Sequence, residues 1–382
     1  MDAQPDTWER PTGDADTWAT DRMLMSFSSG TTGYPKMVSH DYTYPLGHLM
    51  TGVFWHRVVD GGLHFTISDT GWLKSLWGKM YGQWLGETAI FVYDFDRFNA
   101  ADILSKLEKY KVSTFCAPPT MLRMLVNEDM GAYDLSALRH CTAAGEALNP
   151  DTFNKWKEYT GLSIYEGFGQ TETTVCAGTF YPYVAPKPGS MGLPSPGYDL
   201  MVLDEKMEEA PAGVTGEICI RADQMQDAPN RPRGLFTGYF KDDASTAKSF
   251  AGGVYHTGDT AYRDENGYLW YVGRNDDIIK SSGYRIGPFE VESVLAEHPA
   301  VLESAVTGVP DPVRGSVVKA TVVLRKGYEA SEETVKALQD YVKKRTAPYK
   351  YPRVIEFIDE LPKTISGKIR RVEIREADLN RE

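Results

Sequence analysis

The sequence predicts an α/β protein: a layered α/β large domain, a small β-rich subdomain, and an α+β domain at the C-terminal end. Three observations predict it. A strand, a helix and a second strand follow one another between Ala89 and Cys116. Beyond Pro182, short apolar runs alternate with proline and glycine. After Asn275-Asp276-Asp277 the pattern changes again, to helices and apolar strand candidates.

Residues 1–20 are polar, with Pro5, Pro11 and Gly13, and read as a loop. Met23, Leu24 and Met25 form a short apolar run that can deliver the next segment as a strand. From Thr51 to Asp94 the chain is rich in aromatics (Phe54, Trp55, Phe65, Trp72, Trp77, Tyr81, Trp84), which are expected in a core. Ala89 to Tyr93 reads as a strand. Ala101 to Lys111 places Ile103, Leu104, Leu107 and Tyr110 on one helical face, and Val112 to Cys116 is β-like. That order implies a parallel βαβ unit. Pro118-Pro119-Thr120 opens a second helix, and a further αβ step is expected from Leu135 to Thr142. Short strands are expected at Tyr198 to Leu203, Glu217 to Arg221 and Tyr268 to Val272. Pro288 starts a helix, and strands are expected at Leu302 to Val309 and Val317 to Leu324. Ser331 can cap a helix carrying Val335, Leu338 and Val342. The expected boundaries are 1–276 for the first domain, with its β-rich part at about 182–275, and 277–382 for the second.

The chain has 382 residues, enough for two or three domains with sizeable cores. Its net charge of −12 argues against a nucleic-acid partner or an anionic membrane surface. No apolar run reaches the ~18 residues of a membrane span. The four cysteines, Cys116, Cys141, Cys176 and Cys219, form no CxxC pair and are expected as buried free thiols in a cytoplasmic protein. Histidines at 40, 48, 56 and 64 have an eight-residue spacing that does not bring metal ligands onto one helical face, so core or surface roles are expected.

Five stretches carry chemistry. In Ser26 to Lys36, glycines let backbone N–H groups approach a polyanion, hydroxyls donate hydrogen bonds and Lys36 adds positive charge, which suits a triphosphate. A flexible Ser/Thr/Gly linker would have the same composition. In Tyr165 to Glu172, Phe168 can lie against a purine and Glu172 can ligate Mg²⁺ on phosphates. In Tyr255 to Asp259 an aspartate follows a tight turn and can accept both hydroxyls of a ribose. Gly273 to Gly287 and the basic stretch Pro362 to Arg371 complete the set.

Their joint order resembles the acyl-adenylate-forming superfamily (AMP-dependent synthetases and ligases), in particular the medium-chain acyl-CoA synthetases. The matching segments are SSGTTGYPK, GEAL, YEGFGQTE, HTGD, GRNDDIIKSSGYRIGPFEVE, HPAVLESAV, DPVRGSVVKA, APYKYPR and PKTISGKIRR, and they cover about Thr20 to Arg371. The resemblance implies that Ser28, Ser29, Gly30, Thr31, Thr32, Gly33 and Lys36 grip the β- and γ-phosphates of ATP. Gly145, Glu146 and Ala147 would flank adenine with Phe168, within the nucleotide-lining run Glu166, Gly167, Phe168, Gly169 and Gln170. Thr171 would contact the α-phosphate, Glu172 the Mg²⁺, and Asp259 and Arg274 the ribose. Asp276 would be a hinge that makes the C-terminal domain mobile. Ser282, Gly283, Tyr284, Arg285 and Arg314 would meet coenzyme A, with Lys350 to Arg353 a weaker candidate. Lys368 would enter the site for adenylation only. In acetate-specific members a tryptophan aligned with Gly169 closes the acyl pocket, so a carboxylic acid longer than acetate is expected.

The resemblance implies ATP-dependent acyl-CoA synthesis through acyl-AMP. A ligase that loads a carrier protein, and an inactive nucleotide-binding homologue, are the alternatives. Members of the family carry a long segment ahead of the phosphate loop that this sequence lacks. The expectation is a fragment or a shortened product with a strand edge or face uncovered, compatible with a homo-oligomer.

Overall fold

The computed structural model describes residue 7 and residues 9–13, 16–28, 35–223, 232–363 and 369–379. Its largest sheet has seven strands. Ala89–Ile90, Leu63–Thr66, Thr114–Ala117, His140–Ala144 and Ile164–Gly169 run parallel in that spatial order, and Val175–Gly178 and Leu193–Pro194 add antiparallel at the far edge. The helices between them follow from local sequence. Asn99 accepts the Asp102 N–H and caps Ala100–Lys109, which turns Ile103, Leu104 and Leu107 into the core. Pro150–Thr160 begins on an Asn149 cap with proline in its first turn and stops at Gly161, whose φ of +71° only glycine adopts readily. Phe65, Phe115, Leu122 and Trp156 complete the core against the sheet. Each such side chain contributes about 1.5–3 kcal/mol by leaving water.

Two expectations at this level fail. The strand expected over Ala89 to Tyr93 is only Ala89–Ile90, because the chain leaves the sheet edge once the Phe91 N–H has met the His64 carbonyl. The step expected from Leu135 to Thr142 has no helix: Leu135 and Leu138 close a turn, and the strand is His140–Ala144. The aromatics of 51–94 divide. Trp55 and Phe65 are 1% exposed, whereas Trp84 is 54% exposed.

Leu200–Leu203, Gly216–Arg221, Val254–Arg263 and Leu269–Arg274 form a four-stranded antiparallel sheet. The apolar run at Met23 to Met25 lies in Arg22–Phe27, which pairs antiparallel with Met37–Asp41. After a two-stranded hairpin, Ile279–Ser281 with Tyr284–Ile286, the last sheet pairs Val301–Asp311 with Gly315–Leu324 and adds Val354–Phe357 in parallel. Its helices Pro288–Ala296 and Glu332–Arg345 cover a core of Val291, Leu295, Val306, Val322 and Leu338. Among the described residues, no helix is long and apolar enough to cross a membrane.

Candidate active site

Ligands of open α/β sheets gather beyond the carboxyl ends of the strands, and two groups of the predicted residues follow such ends. Gly145, at φ +104°, Glu146 and Ala147 leave the end of His140–Ala144. The neighbouring strand Ile164–Gly169 ends in Gly169 and leads into Gln170, Thr171 and Glu172. Glu146 Oε2 accepts the Thr120 hydroxyl at 2.7 Å, which holds the first turn against the next helix.

Gln170 is the junction. Its amide nitrogen donates to the Thr257 carbonyl at 2.8 Å and to Asp259 Oδ2 at 2.5 Å, and its amide oxygen accepts from the Tyr255 hydroxyl at 2.7 Å. The strand end is thereby tied to the Tyr255-His256-Thr257-Gly258-Asp259 turn. Asp259 Oδ1 accepts from the Tyr271 hydroxyl at 3.0 Å, and Asp259 faces Arg274 across the sheet. Burial alone would lower the pKa of Arg274, yet Asp259 and Asp276 hold it above its ordinary value. Arg274 Nε donates to Asp276 Oδ1 at 3.2 Å.

On the other side of Gln170, His40 Nε2 lies 2.7 Å from the Thr171 carbonyl. Glu172 Oε1 accepts from the Tyr239 hydroxyl at 2.9 Å, and Lys36 Nζ sits 4.6 Å above the Tyr239 ring. Burial raises the pKa of the Glu172 carboxyl, while the Tyr239 hydrogen bond and Lys36 pull it back. The Ser28 N–H donates to the Lys36 carbonyl at 2.8 Å. Ser29, Gly30, Thr31, Thr32 and Gly33 lie outside the described residues. Lys36, Glu172, Gln170, Asp259 and Arg274 therefore form one continuous polar edge, and Gly145 follows the strand that neighbours Phe168.

The remaining candidates have other partners. The Glu166 carboxyl is buried, its Oε2 meets no hydrogen-bond partner among the described residues, and burial pushes its pKa well up. A Cβ on Gly167 would meet the Trp55 ring at 2.6 Å. A Cβ on Gly169 would meet the Thr174 carbonyl oxygen at 2.2 Å, so backbone packing requires glycine there whatever the depth of the acyl pocket. Ser282, Gly283, Tyr284 and Arg285 occupy the hairpin of the C-terminal part. The Ser282 N–H donates to the Arg314 carbonyl at 3.0 Å, Tyr284 stacks on Tyr349 at 4.0 Å, and Arg285 pairs with Glu205. None of their contacts among the described residues reaches Gln170 or Glu172.

Lys368 also lies outside the described residues, but its flanks are placed: Lys363 bridges Ile369. Lys363 Nζ reaches Glu303 at 2.6 Å, and Glu303 also meets Arg123 of the large domain at 3.2 Å. Sequence reasoning missed Tyr239, Tyr255, Tyr271 and His40. Each sits in or beside an apolar strand, where an aromatic reads as core, and only Tyr255 had a signal, its place beside the His256-Thr257-Gly258-Asp259 turn.

The profile of the AMP-binding enzyme family matches residues 2–227, and that of the AMP-binding enzyme C-terminal domain matches residues 290–368. Acyl-coenzyme A synthetase ACSM3, mitochondrial, of Mus musculus is 48% identical over 366 residues, which is 95% of this chain and 62% of that protein. ACSM5, mitochondrial, of Rattus norvegicus is 47% identical over 368 residues, 96% of this chain and 62% of that one. Among solved structures, the anthranilate CoA ligase AuaEII in complex with anthranoyl-AMP superposes with a TM-score of 0.86 at 32% identity, covering 100% of this chain and 70% of its own. A benzoate CoA ligase from Burkholderia xenovorans LB400 gives 0.80 at 30% identity, covering 94% and 69%. The chain spans about three fifths of the length of the curated relatives it matches. With both profiles matched in order, the first over more than half of its length, the chain belongs to the AMP-binding enzyme family.

Proposed function

We propose that the protein activates a carboxylic acid longer than acetate (medium-chain, branched or aromatic) with ATP. The acyl-AMP formed is passed to coenzyme A, with release of pyrophosphate and AMP. The observation that carries this reading is the Gln170 carboxamide, which joins the Asp259 turn to the strand end bearing Phe168 and Glu172. Ribose, purine and phosphate groups of one nucleotide can then be met along a single edge. The names of the relatives and solved neighbours, acyl-CoA synthetases and aromatic-acid CoA ligases, support the same chemistry.

The acid's carboxylate attacks the α-phosphorus, and pyrophosphate leaves. Two anions must approach, so catalysis is mainly positioning and charge stabilisation. Lys36 and the Ser28 to Gly33 donors would hold the β- and γ-phosphates. Thr171 would meet the α-phosphate, and Lys368 would offset the charge growing on its oxygens. Asp259 would accept the ribose hydroxyls, held in place by Gln170 and Tyr271. Glu172 is a hard carboxylate donor on this edge and fits Mg²⁺, which binds through one or two carboxylates plus substrate phosphates. When bound, the ion would supply neutralisation of phosphate charge. For the second step, the Ser282 to Arg285 hairpin with Arg314 would bring coenzyme A to the acyl-AMP carbonyl by rotation about Asp276. The four free, buried cysteines support a reducing compartment: the cytoplasm or, as for the relatives named mitochondrial, that organelle's interior.

Lys368→Ala separates the two steps. It should abolish ATP-dependent acyl-AMP formation and largely spare thioester formation from supplied acyl-AMP. Equal loss of both would remove Lys368 from the proposed role.

A further inference from the structure

Behind the ribose turn lies a cluster that the proposed reaction does not use. Glu217 and Cys219 are two residues apart on Gly216–Arg221, so their side chains leave the same face, and Cys219 pairs with His256 across the sheet. His256 Nδ1 lies 3.1 Å from Glu217 Oε2 and 3.7 Å from Cys219 Sγ. All three donor atoms fall within 4.8 Å of one another. A tetrahedral zinc ion with bonds of about 2.0–2.3 Å needs neighbouring donors about 3.3–3.6 Å apart. The His256–Glu217 and His256–Cys219 distances lie within a few tenths of an ångström of that spacing, and rotation of the Glu217 carboxylate can close its distance to Cys219.

We propose that Glu217, Cys219 and His256 form a three-ligand site for a zinc-class divalent cation, with its fourth position open to solvent. The supporting contacts are those a metal site uses. His256 Nε2 lies 3.3 Å from the Ala251 carbonyl, the arrangement that fixes a ligating histidine's tautomer and leaves Nδ1 for the ion. Glu217 divides its oxygens: Oε1 accepts the Gly258 N–H at 3.0 Å, and Oε2 faces the cluster. The side chains of His256 and Glu217 are 23% and 20% exposed, which gives the ion a path in, while Cys219 is fully buried. Thiolate and imidazole favour zinc over the hard Mg²⁺. Bound there, the cation braces Glu217 and His256 on either side of the turn that delivers Asp259.

The test uses the full chain, freed of metal with a chelator and titrated with Co²⁺ or Zn²⁺. One equivalent of Co²⁺ should give a near-ultraviolet thiolate-to-cobalt absorption, and Zn²⁺ should displace it and raise the thermal midpoint. Loss of even an outer partner of a metal ligand weakens binding about 10–100-fold, so Cys219→Ser and His256→Gln should each weaken it at least as much, and Cys219→Ser should abolish the absorption. The other three cysteines are buried elsewhere in the sheets, so the signal reports on Cys219 alone. No thiolate absorption in the unaltered chain would overturn the site and leave the His256–Glu217 contact a structural one. A signal unchanged in Cys219→Ser would overturn it too. Neither outcome depends on turnover, so the site and the proposed reaction fail separately.

Discussion

Glu172 is where charge and burial meet most directly. Burial raises its pKa above the ordinary 4.5, against the pull of Tyr239 and Lys36. An acid with a raised pKa loses its charge as pH falls through a value above 4.5, so ATP-dependent turnover should decline on the acid side earlier than an ordinary glutamate allows. Glu172→Gln should lower that turnover about 10²-fold or more, the scale of losing one group that stabilises transition-state charge, and flatten this acid limb. An unchanged pH profile would take Glu172 out of the reaction. Gly169 makes a different point. The sequence offered it as the open floor of an acyl pocket, but the Thr174 carbonyl 2.2 Å from a built Cβ shows a packing requirement as well. Gly169→Ala should cost about 1–3 kcal/mol of stability, as overpacking does. A urea midpoint equal to that of the parent would show that the strand end can yield.

Among the elements, the helix Glu332–Arg345 was legible in full. Ser331 accepts the Thr334 N–H at 3.2 Å, Glu332 and Glu333 occupy the first turn, and Lys343, Lys344 and Arg345 the last. Ser331→Ala should cost about 1 kcal/mol, measured by urea unfolding, and no loss would show that tertiary contacts alone hold the helix start. The helix Ala100–Lys109 was equally readable from its apolar period, because a helix records its buried face within its own sequence. Ala89–Ile90 and the segment from Leu135 were not, since a strand's end is set by the partner beside it and not by its own residues. The candidate site divides in the same way. Gln170, Glu172 and Asp259 lie in short motifs and could be found. Tyr239 and Tyr271 could not, because their hydroxyl partners are fixed only when separate strands come together.

At the scale of the whole molecule, buried histidines set the response to acid. Burial lowers the pKa of His48 and of His64 to about 3, that of His140 to about 4, and that of His56 well below its ordinary value. His56 and His64 rest on Thr142 and Thr114 hydroxyls, and His140 on the Trp55 carbonyl. Below pH 6.5 the unfolded chain binds protons that these folded histidines refuse, so stability is full above that pH and falls as pH drops toward 3–4. Each histidine contributes up to about 1.4 kcal/mol per pH unit. Glu166 and Glu172, with raised pKa values, act in the opposite sense, but four histidines outnumber them. The urea midpoint should therefore fall between pH 6.5 and 5, and a flat profile would mean that water reaches the histidines. The function proposed for the molecule is tested most directly by acid-dependent exchange of labelled pyrophosphate into ATP, run across acetate and longer straight-chain, branched and aromatic acids. Exchange should require an acid, be strongest for one longer than acetate, and vanish in Lys368→Ala. ATP bound without exchange for any acid, or exchange strongest with acetate, would contradict it.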